Sequence, residues 1–260
     1  MRGPHRSCEY GAVRPTAQHV MASMRCDIPG RVGRAALGRP EERLHDGRVL
    51  PGPGMVDAST LLVYIMDVYD PWAYAYLPSV SAVLSAACSL VDVEIVQSGH
   101  DTTGRSGSFA ADVDAVRGAT DACFGPQFLA AVRSGSLVVD AEAAAAGVIA
   151  LLATEQMPVS TVLGAVQHEF FVCGQPLEAP GVLGRVATNL GLDAQAIELF
   201  AASARAHELA VEDFAVARDL NVGGRPLLLA SRGDHLFEFD GLGASSQRLV
   251  DQFRTVLTRP

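Results

Sequence analysis

The sequence predicts an α/β protein in which one sheet is assembled from two ends of the chain, with a long helical stretch between them. Three observations predict it. The first is a strand, an abrupt turn and a helix start between Leu61 and Leu84, followed by a second short strand at Val91–Val96. The second is a run of nearly a hundred residues, 108–204, with helical periodicity and helix punctuation throughout. The third is a return to strand character after Pro226, with Gly233-Asp234 between two apolar stretches as the turn of a hairpin.

The segment Leu61-Leu-Val-Tyr-Ile-Met-Asp67-Val-Tyr-Asp70-Pro71-Trp72-Ala73-Tyr74-Ala75-Tyr76-Leu77 organises the rest. Its apolar, β-branched and aromatic start reads as a buried strand. Asp70-Pro71 then supplies an N-cap residue and a proline at the first helical position. A helix follows through Leu77, Val80, Val83 and Leu84. The turn brings one side chain and several backbone N–H groups to one spot, which suits an anion or a nucleophile. Val91–Val96 reads as a second short strand. The polar, glycine-rich stretch from Gln97 to Gly107 is the loop leaving its carboxyl end, where open α/β sheets bind ligands.

Helices are expected at Phe109–Ala122, from Phe124-Gly-Pro, from Asp140 to near Gln156, at Pro158–Cys173, at Pro180–Leu190, after Asp193, and at Glu208–Leu220. Gly174 and Gly191 are their stops. Ala244–Leu257 is the closing helix. Residues 1–54 are rich in Arg, Gly and Pro and lack periodicity. They read as a disordered extension, or as residues upstream of a natural start at Met55.

Composition narrows the function. Of the 260 residues, 49% are hydrophobic and the net charge is −9. Nine Arg face five acids in 1–54, and eleven face twenty-four in the remainder. An acidic body argues against nucleic acid as a partner. No apolar run approaches the roughly 18 residues that cross a bilayer, so a soluble, cytoplasmic protein without a membrane partner is expected. There is no Lys, which excludes a Schiff-base lysine and a complete P-loop. Cysteines stand at 8, 26, 88, 123 and 173, none in C-x-x-C spacing, and read as free thiols, with Cys88 and Cys173 as core residues. No Cys/His cluster has metal-ligand spacing.

The run Asp67-Val-Tyr-Asp70-Pro71-Trp72-Ala73-Tyr74 resembles the active-site segment of DsbA-like thioredoxin-fold proteins, in particular the FrnE-like branch, which reads Asp-x-x-Cys-Pro-Trp-Cys-Tyr. Asp67, Pro71, Trp72 and Tyr74 match. Asp70 and Ala73 stand at the two cysteine positions. The runs Thr120–Leu129 and Phe170–Gln175 resemble recurring segments of that branch, and Arg225-Pro226 matches in position a turn whose proline faces the redox site. The resemblance covers about residues 60–257 and implies a thioredoxin-like fold with a large helical insertion. The division it implies is 1–54, then one thioredoxin-like domain from 55–104 and 205–260, with 105–204 inserted as a lid.

It implies three classes of function. One is a non-redox enzyme on a small molecule, an isomerase or a thiol-dependent transferase, as in related 2-hydroxychromene-2-carboxylate isomerases and kappa-class glutathione transferases. These use a bound thiol, so the cofactor implied is a low-molecular-weight thiol. Specialised metabolism is the setting implied. The second is a disulfide oxidoreductase or isomerase, whose chemistry needs a low-pKa thiolate at the helix N-terminus. The third is a binding or chaperone-like protein. A small-molecule substrate is the expected partner, with a homodimer left open.

The catalytic candidates are Asp70, Arg225 and His100; the substrate-binding candidates are Trp72, Tyr74, Phe124, Phe170 and Pro226. The helix N-terminus favours the ionised form of Asp70, making it a weak base, and pairing with Arg225 would lower its pKa further. Apolar cover from Phe124, Phe170 or Phe171, with the Arg turned away, would reverse this. Trp72, Tyr74 and Tyr76 form an aromatic wall with a Tyr hydroxyl as donor, or else pack against the insertion.

Overall fold

The computed structural model describes residues 60–99, 106–220, 222, 225–232 and 235–258. Four strands form one mixed sheet in the order β2-β1-β3-β4. Strand β1 (Thr60–Met66) is central, and all seven of its residues are buried. Strand β2 (Asp92–Gln97) lies parallel to it, in register from Leu61 opposite Asp92 to Met66 opposite Gln97. On the other side β3 (Leu227–Arg232) runs antiparallel, and β4 (His235–Glu238) completes the hairpin. The turn at Gly233-Asp234 and residues 1–54 lie outside the described residues.

The continuous apolar run of β1 follows from burial on both faces. Side chains alternate along a strand. Leu61, Val63 and Ile65 pack with Val96, Leu229 and Ala217, while Leu62, Tyr64 and Met66 join the large core on the opposite face. Helix α1 (Pro71–Ala87) makes the crossover to β2. Its internal Pro78 is exposed, where water can serve the carbonyl that proline leaves unbonded.

Between β2 and β3 the described residues hold seven helices: α2 (Ser106–Ala119), α3 (Pro126–Ser134), α4 (Ala141–Leu152), α5 (Val159–Phe171), α6 (Val182–Asn189), α7 (Ala194–Ala201) and α8 (Ala204–Asp219). Helix α9 (Ser246–Thr258) closes the chain and packs on α1. Side-chain capping moves several bounds from those expected. The Thr120 hydroxyl donates to the Val116 carbonyl and accepts from Ala122 N–H, which ends α2 before Ala122. Helix α4 stops at Leu152, well before Gln156, where Thr154 bonds back to Leu151 O and Glu155 takes a positive φ of 53°. Ser203 accepts from Ala206 N–H, so α8 starts at Ala204 instead of Glu208. Pro126 follows the cap residue Gly125, whose Cβ, were there one, would lie 1.8 Å from Val172 O; only glycine fits there.

The cysteines correct another expectation. Cys88 and Cys173 are not disulfide-bonded and are half-buried, because both sit just past helix ends and not on inward faces. Cys123 is disulfide-bonded, so it is not a free thiol. No described helix is long and apolar enough to cross a membrane.

Candidate functional site

The site is built on the turn between β1 and α1. Asp67 Oδ1 accepts from Tyr69 N–H at 2.7 Å, and its carbonyl accepts from Asp70 N–H at 3.1 Å, which folds the chain back at the sheet edge. Asp70 then caps α1 in an extended conformation (φ −78°, ψ 119°). Its Oδ1 accepts from Trp72 N–H at 2.9 Å and its Oδ2 from Ala73 N–H at 3.2 Å. Tyr69 ties this turn to the insertion. Its ring lies 4.0 Å from that of Phe170, and its hydroxyl donates to Glu178 while accepting from Leu177 N–H.

Asp70 is 9% exposed. Burial pushes its carboxyl up from 3.8 to about 7; the Trp72 N–H bond opposes this, the Asp67 charge adds to it, the Ala73 N–H bond opposes it, and Asp112 adds the rest. The expected lowering at a helix N-terminus is therefore overturned. Two backbone N–H bonds favour the carboxylate, but desolvation outweighs them. Arg225 does not intervene. Its guanidinium lies over the Trp72 ring, 4.4 Å from the centroid, and is exposed. Of the two arrangements the sequence left open, the Asp70–Arg225 pair is not the one seen: Arg225 makes this cation–π contact instead. Trp72 is held from the other side, its Nε1–H donating to Asp112 Oδ1 at 3.1 Å.

Trp72 and Arg225 thus stand together beside Asp70, with Pro226 buried next in the chain in a trans peptide. Tyr74 turns the other way, its ring stacking on Phe171 at 4.6 Å and leaning on Phe124 at 5.4 Å. Phe124 in turn stacks on Phe128, and Phe170 is 1% exposed within the same aromatic cluster. The expected Tyr donor is not available from Tyr74 or Tyr76. The Tyr74 hydroxyl donates to Cys123 O and that of Tyr76 to Asp240 O. Both phenols close gaps between elements. His100 lies outside the described residues.

Two residues at the site, Asp112 and Tyr64, were not singled out from sequence. Asp112 comes from α2 and carried no local signal. Tyr64 looked like any strand residue, yet its hydroxyl is buried without a hydrogen-bond partner, and burial together with the Asp70 charge pushes its pKa well up. Gln167, adjacent to His168 in the sequence, is 0% exposed and its amide is likewise unpartnered. A polar residue inside an otherwise apolar helix face was the one available sign. Among the described residues no three His, Cys, Asp or Glu are grouped to hold a metal ion.

Residues 130–253 match the family described as the DSBA-like thioredoxin domain. A candidate protein disulfide isomerase from Nitrosomonas europaea superposes with a TM-score of 0.65 at 18% identity, over 76% of this chain and 98% of that one. The cytosolic disulfide reductase DsbM from Pseudomonas aeruginosa superposes with a TM-score of 0.60 at 23% identity, over 76% and 96%. The same reductase with GSH gives a TM-score of 0.57 at 22% identity, over 76% and 96%. A comparison with curated proteins gives no match. The two-block sheet, the helices between its blocks, the match over residues 130–253 and the superpositions agree: this chain has the thioredoxin-like DsbA fold.

Proposed function

We propose that the chain is a non-redox enzyme, a small-molecule isomerase that works by proton transfer with Asp70 as general acid–base. The observation that carries this is the buried Asp70 carboxyl at the N-cap of α1, raised to about 7. A base is most effective when its pKa lies near the working pH. The step would be enolisation. The Asp70 carboxylate takes a proton from carbon next to a carbonyl. The C–H electron pair becomes the C=C bond, and the carbonyl π pair moves onto oxygen. Where the carbonyl compound carries a β,γ double bond, the enolate is a conjugated dienolate, and return of the proton to its γ-carbon moves the double bond into conjugation and gives the isomer, with no oxidant or reductant consumed.

In this reading Asp70 and Ala73 stand where the resemblance places the two cysteines. The sequence contains no C-x-x-C pair to exchange disulfides. The thiol of Cys173 is pushed up by burial, the opposite of what a nucleophile needs. A thiol cofactor is also disfavoured. DsbM has been solved with GSH, but here Asp67 and Asp112 already raise the pKa of Asp70 by their charge. A thiolate beside them would meet the same repulsion.

The test is hydrogen–deuterium exchange at carbon. Simple ketones, aryl ketones and α-keto acids would be incubated with the protein in D2O and followed by 1H NMR. Exchange should exceed the buffer rate for at least one class, rise through a midpoint near 7, and fall at least about 100-fold in Asp70→Asn. Exchange no faster than buffer, or equal in the variant, would overturn the proposal.

A further inference from the structure

A cavity of about 100 Å³ opens at the far end of α1 from Asp70. Three pieces of chain enclose it. They are the last turns of α1 with Leu84, Ser85 and Cys88, Val93 of β2, and residues 155–160, which lead from α4 into α5. Asp70 caps the start of α1. Leu84 lies about 21 Å further along that helix, at about 1.5 Å per residue. The cavity is therefore separate from the turn that holds Asp70.

Backbone geometry sets its rim. Helix α4 ends at Leu152, and the chain leaves it through Glu155, whose φ of 53° is the one positive value on a non-glycine among the described residues. The Glu155 N–H donates to Leu152 O at 3.2 Å, and the Gln156 N–H to Thr154 Oγ1 at 3.4 Å. These bonds fix the loop as it passes the end of α1. Ser85, Glu155, Gln156 and Pro158 are exposed. Beneath them Leu84 is 3% exposed, and Val93, Met157 and Val159 are partly buried against the main core. An apolar wall with nothing packed against it forgoes dispersion contacts that a ligand can supply. Cys88 stands in this wall at the C-cap of α1, its thiol donating to Ser85 O at 3.2 Å. A helix C-terminus disfavours a thiolate, so Cys88 offers a polarizable surface and not a nucleophile.

We propose that this cavity is a second binding site, distinct from that of Asp70, and that it takes an uncharged aromatic ring. Size limits the ligand to one ring. A dry apolar cavity of about 150 Å³ holds benzene; this one is smaller but opens to solvent on one side, so ring substituents can stay at the rim. Sulfur favours aromatic character. Both Cys88 and Met157 line the cavity, and sulfur packs well against aromatic rings. Charge sets the remaining limit. The one charged lining residue is Glu155, at the rim, and no Arg or His stands among the described lining residues. Glu155 repels a carboxylate or phosphate, and a ligand cation would leave water for an apolar floor that cannot pair it.

The probe is fluorobenzene, added to protein carrying 13C at its methionine methyls. The Met157 signal, assigned by its loss in Met157→Leu, should shift saturably with a Kd below about 1 mM. The signal of Met66, buried on β1 beside the Asp70 turn, should stay in place. The melting temperature should rise with fluorobenzene, because the ligand binds the folded chain. Val93→Phe and Ser160→Leu enlarge side chains on β2 and on α5. Each should weaken fluorobenzene binding at least tenfold, whereas Asp70→Asn should keep it within about twofold of wild type. The same ring with a charge, 4-fluorobenzoate, should bind at least tenfold more weakly. No saturable Met157 shift in the wild type would show a packing gap only and would overturn the proposal. So would a shift confined to Met66, binding unchanged in both enlarged variants, or 4-fluorobenzoate binding as tightly as fluorobenzene.

Discussion

Replacing Asp70 by Asn tests the electrostatics of the site before any substrate is known. Asn ranks with Asp as an N-cap, so the helix keeps its capping side chain. What changes is the proton. In the folded chain the Asp70 carboxyl is raised from 3.8 to about 7. A group whose folded pKa lies above its unfolded value contributes fully below the unfolded pKa and loses that contribution as pH rises to the folded one. At about 1.4 kcal/mol per unit, the interval in Asp70 corresponds to about 4 kcal/mol lost between pH 4 and pH 7. Asn has no proton to lose. The stability of Asp70→Asn relative to wild type should therefore climb with pH by about 1.4 kcal/mol per unit across that window and level off above it. Urea unfolding at pH 4, 5.5, 7 and 8, with both proteins compared at each pH, measures this directly. A difference independent of pH would mean that burial does not govern Asp70. A difference that falls as pH rises would mean that the N–H groups of α1 win and the carboxylate is the favoured form.

Three further outcomes are expected. Tyr69→Phe removes the hydroxyl that joins the turn to Glu178 and Leu177. It should cost about 2–3 kcal/mol in urea unfolding, and a loss under about 0.5 would show that this anchor is not energetic. Arg225→Ala removes a cation from the Trp72 face, costing about 0.5–1 kcal/mol in a double-mutant cycle with Trp72→Ala. It should leave the Asp70 titration, read by 13C NMR, within a few tenths of a unit; a rise of a full unit would reveal an ion pair instead. Insulin reduction should proceed no faster than without protein, and turnover that survives serine at Cys88, Cys123 and Cys173 would restore disulfide exchange as a candidate.

Much of the fold was legible because its signals are local. The β1 run is apolar at every position, which a central strand covered on both faces requires. Asp70-Pro71 marks the α1 start by cap and φ constraint, and both appear where expected. The parallel β2 follows from the α1 crossover, and the antiparallel β3–β4 pair is the hairpin expected after Pro226. Helix ends were less legible. Thr120, Thr154 and Ser203 decide them through single hydroxyl bonds, and such residues are common in loops and caps alike.

The sequence by itself determined that a carboxylate would occupy the first turn of α1, with an indole two residues on and no C-x-x-C pair in the chain. Tertiary structure alone decided what that carboxylate can do. A helix N-terminus by itself favours the ionised form, and that much is readable from Asp-Pro. The opposite outcome comes first from desolvation in the folded chain, to which the charges of Asp67, three residues back, and of Asp112 on α2 add. The phenols followed the same rule. Tyr74 and Tyr76 look like ligand donors in sequence but spend their hydroxyls on Cys123 and Asp240 carbonyls, 49 and 164 residues away. The Gln167 amide and the Tyr64 hydroxyl, unremarkable in sequence, are buried without a hydrogen-bond partner among the described residues. Desolvation and hydrogen-bond satisfaction depend on everything packed around a group, and neither is a property of the residues beside it in the chain.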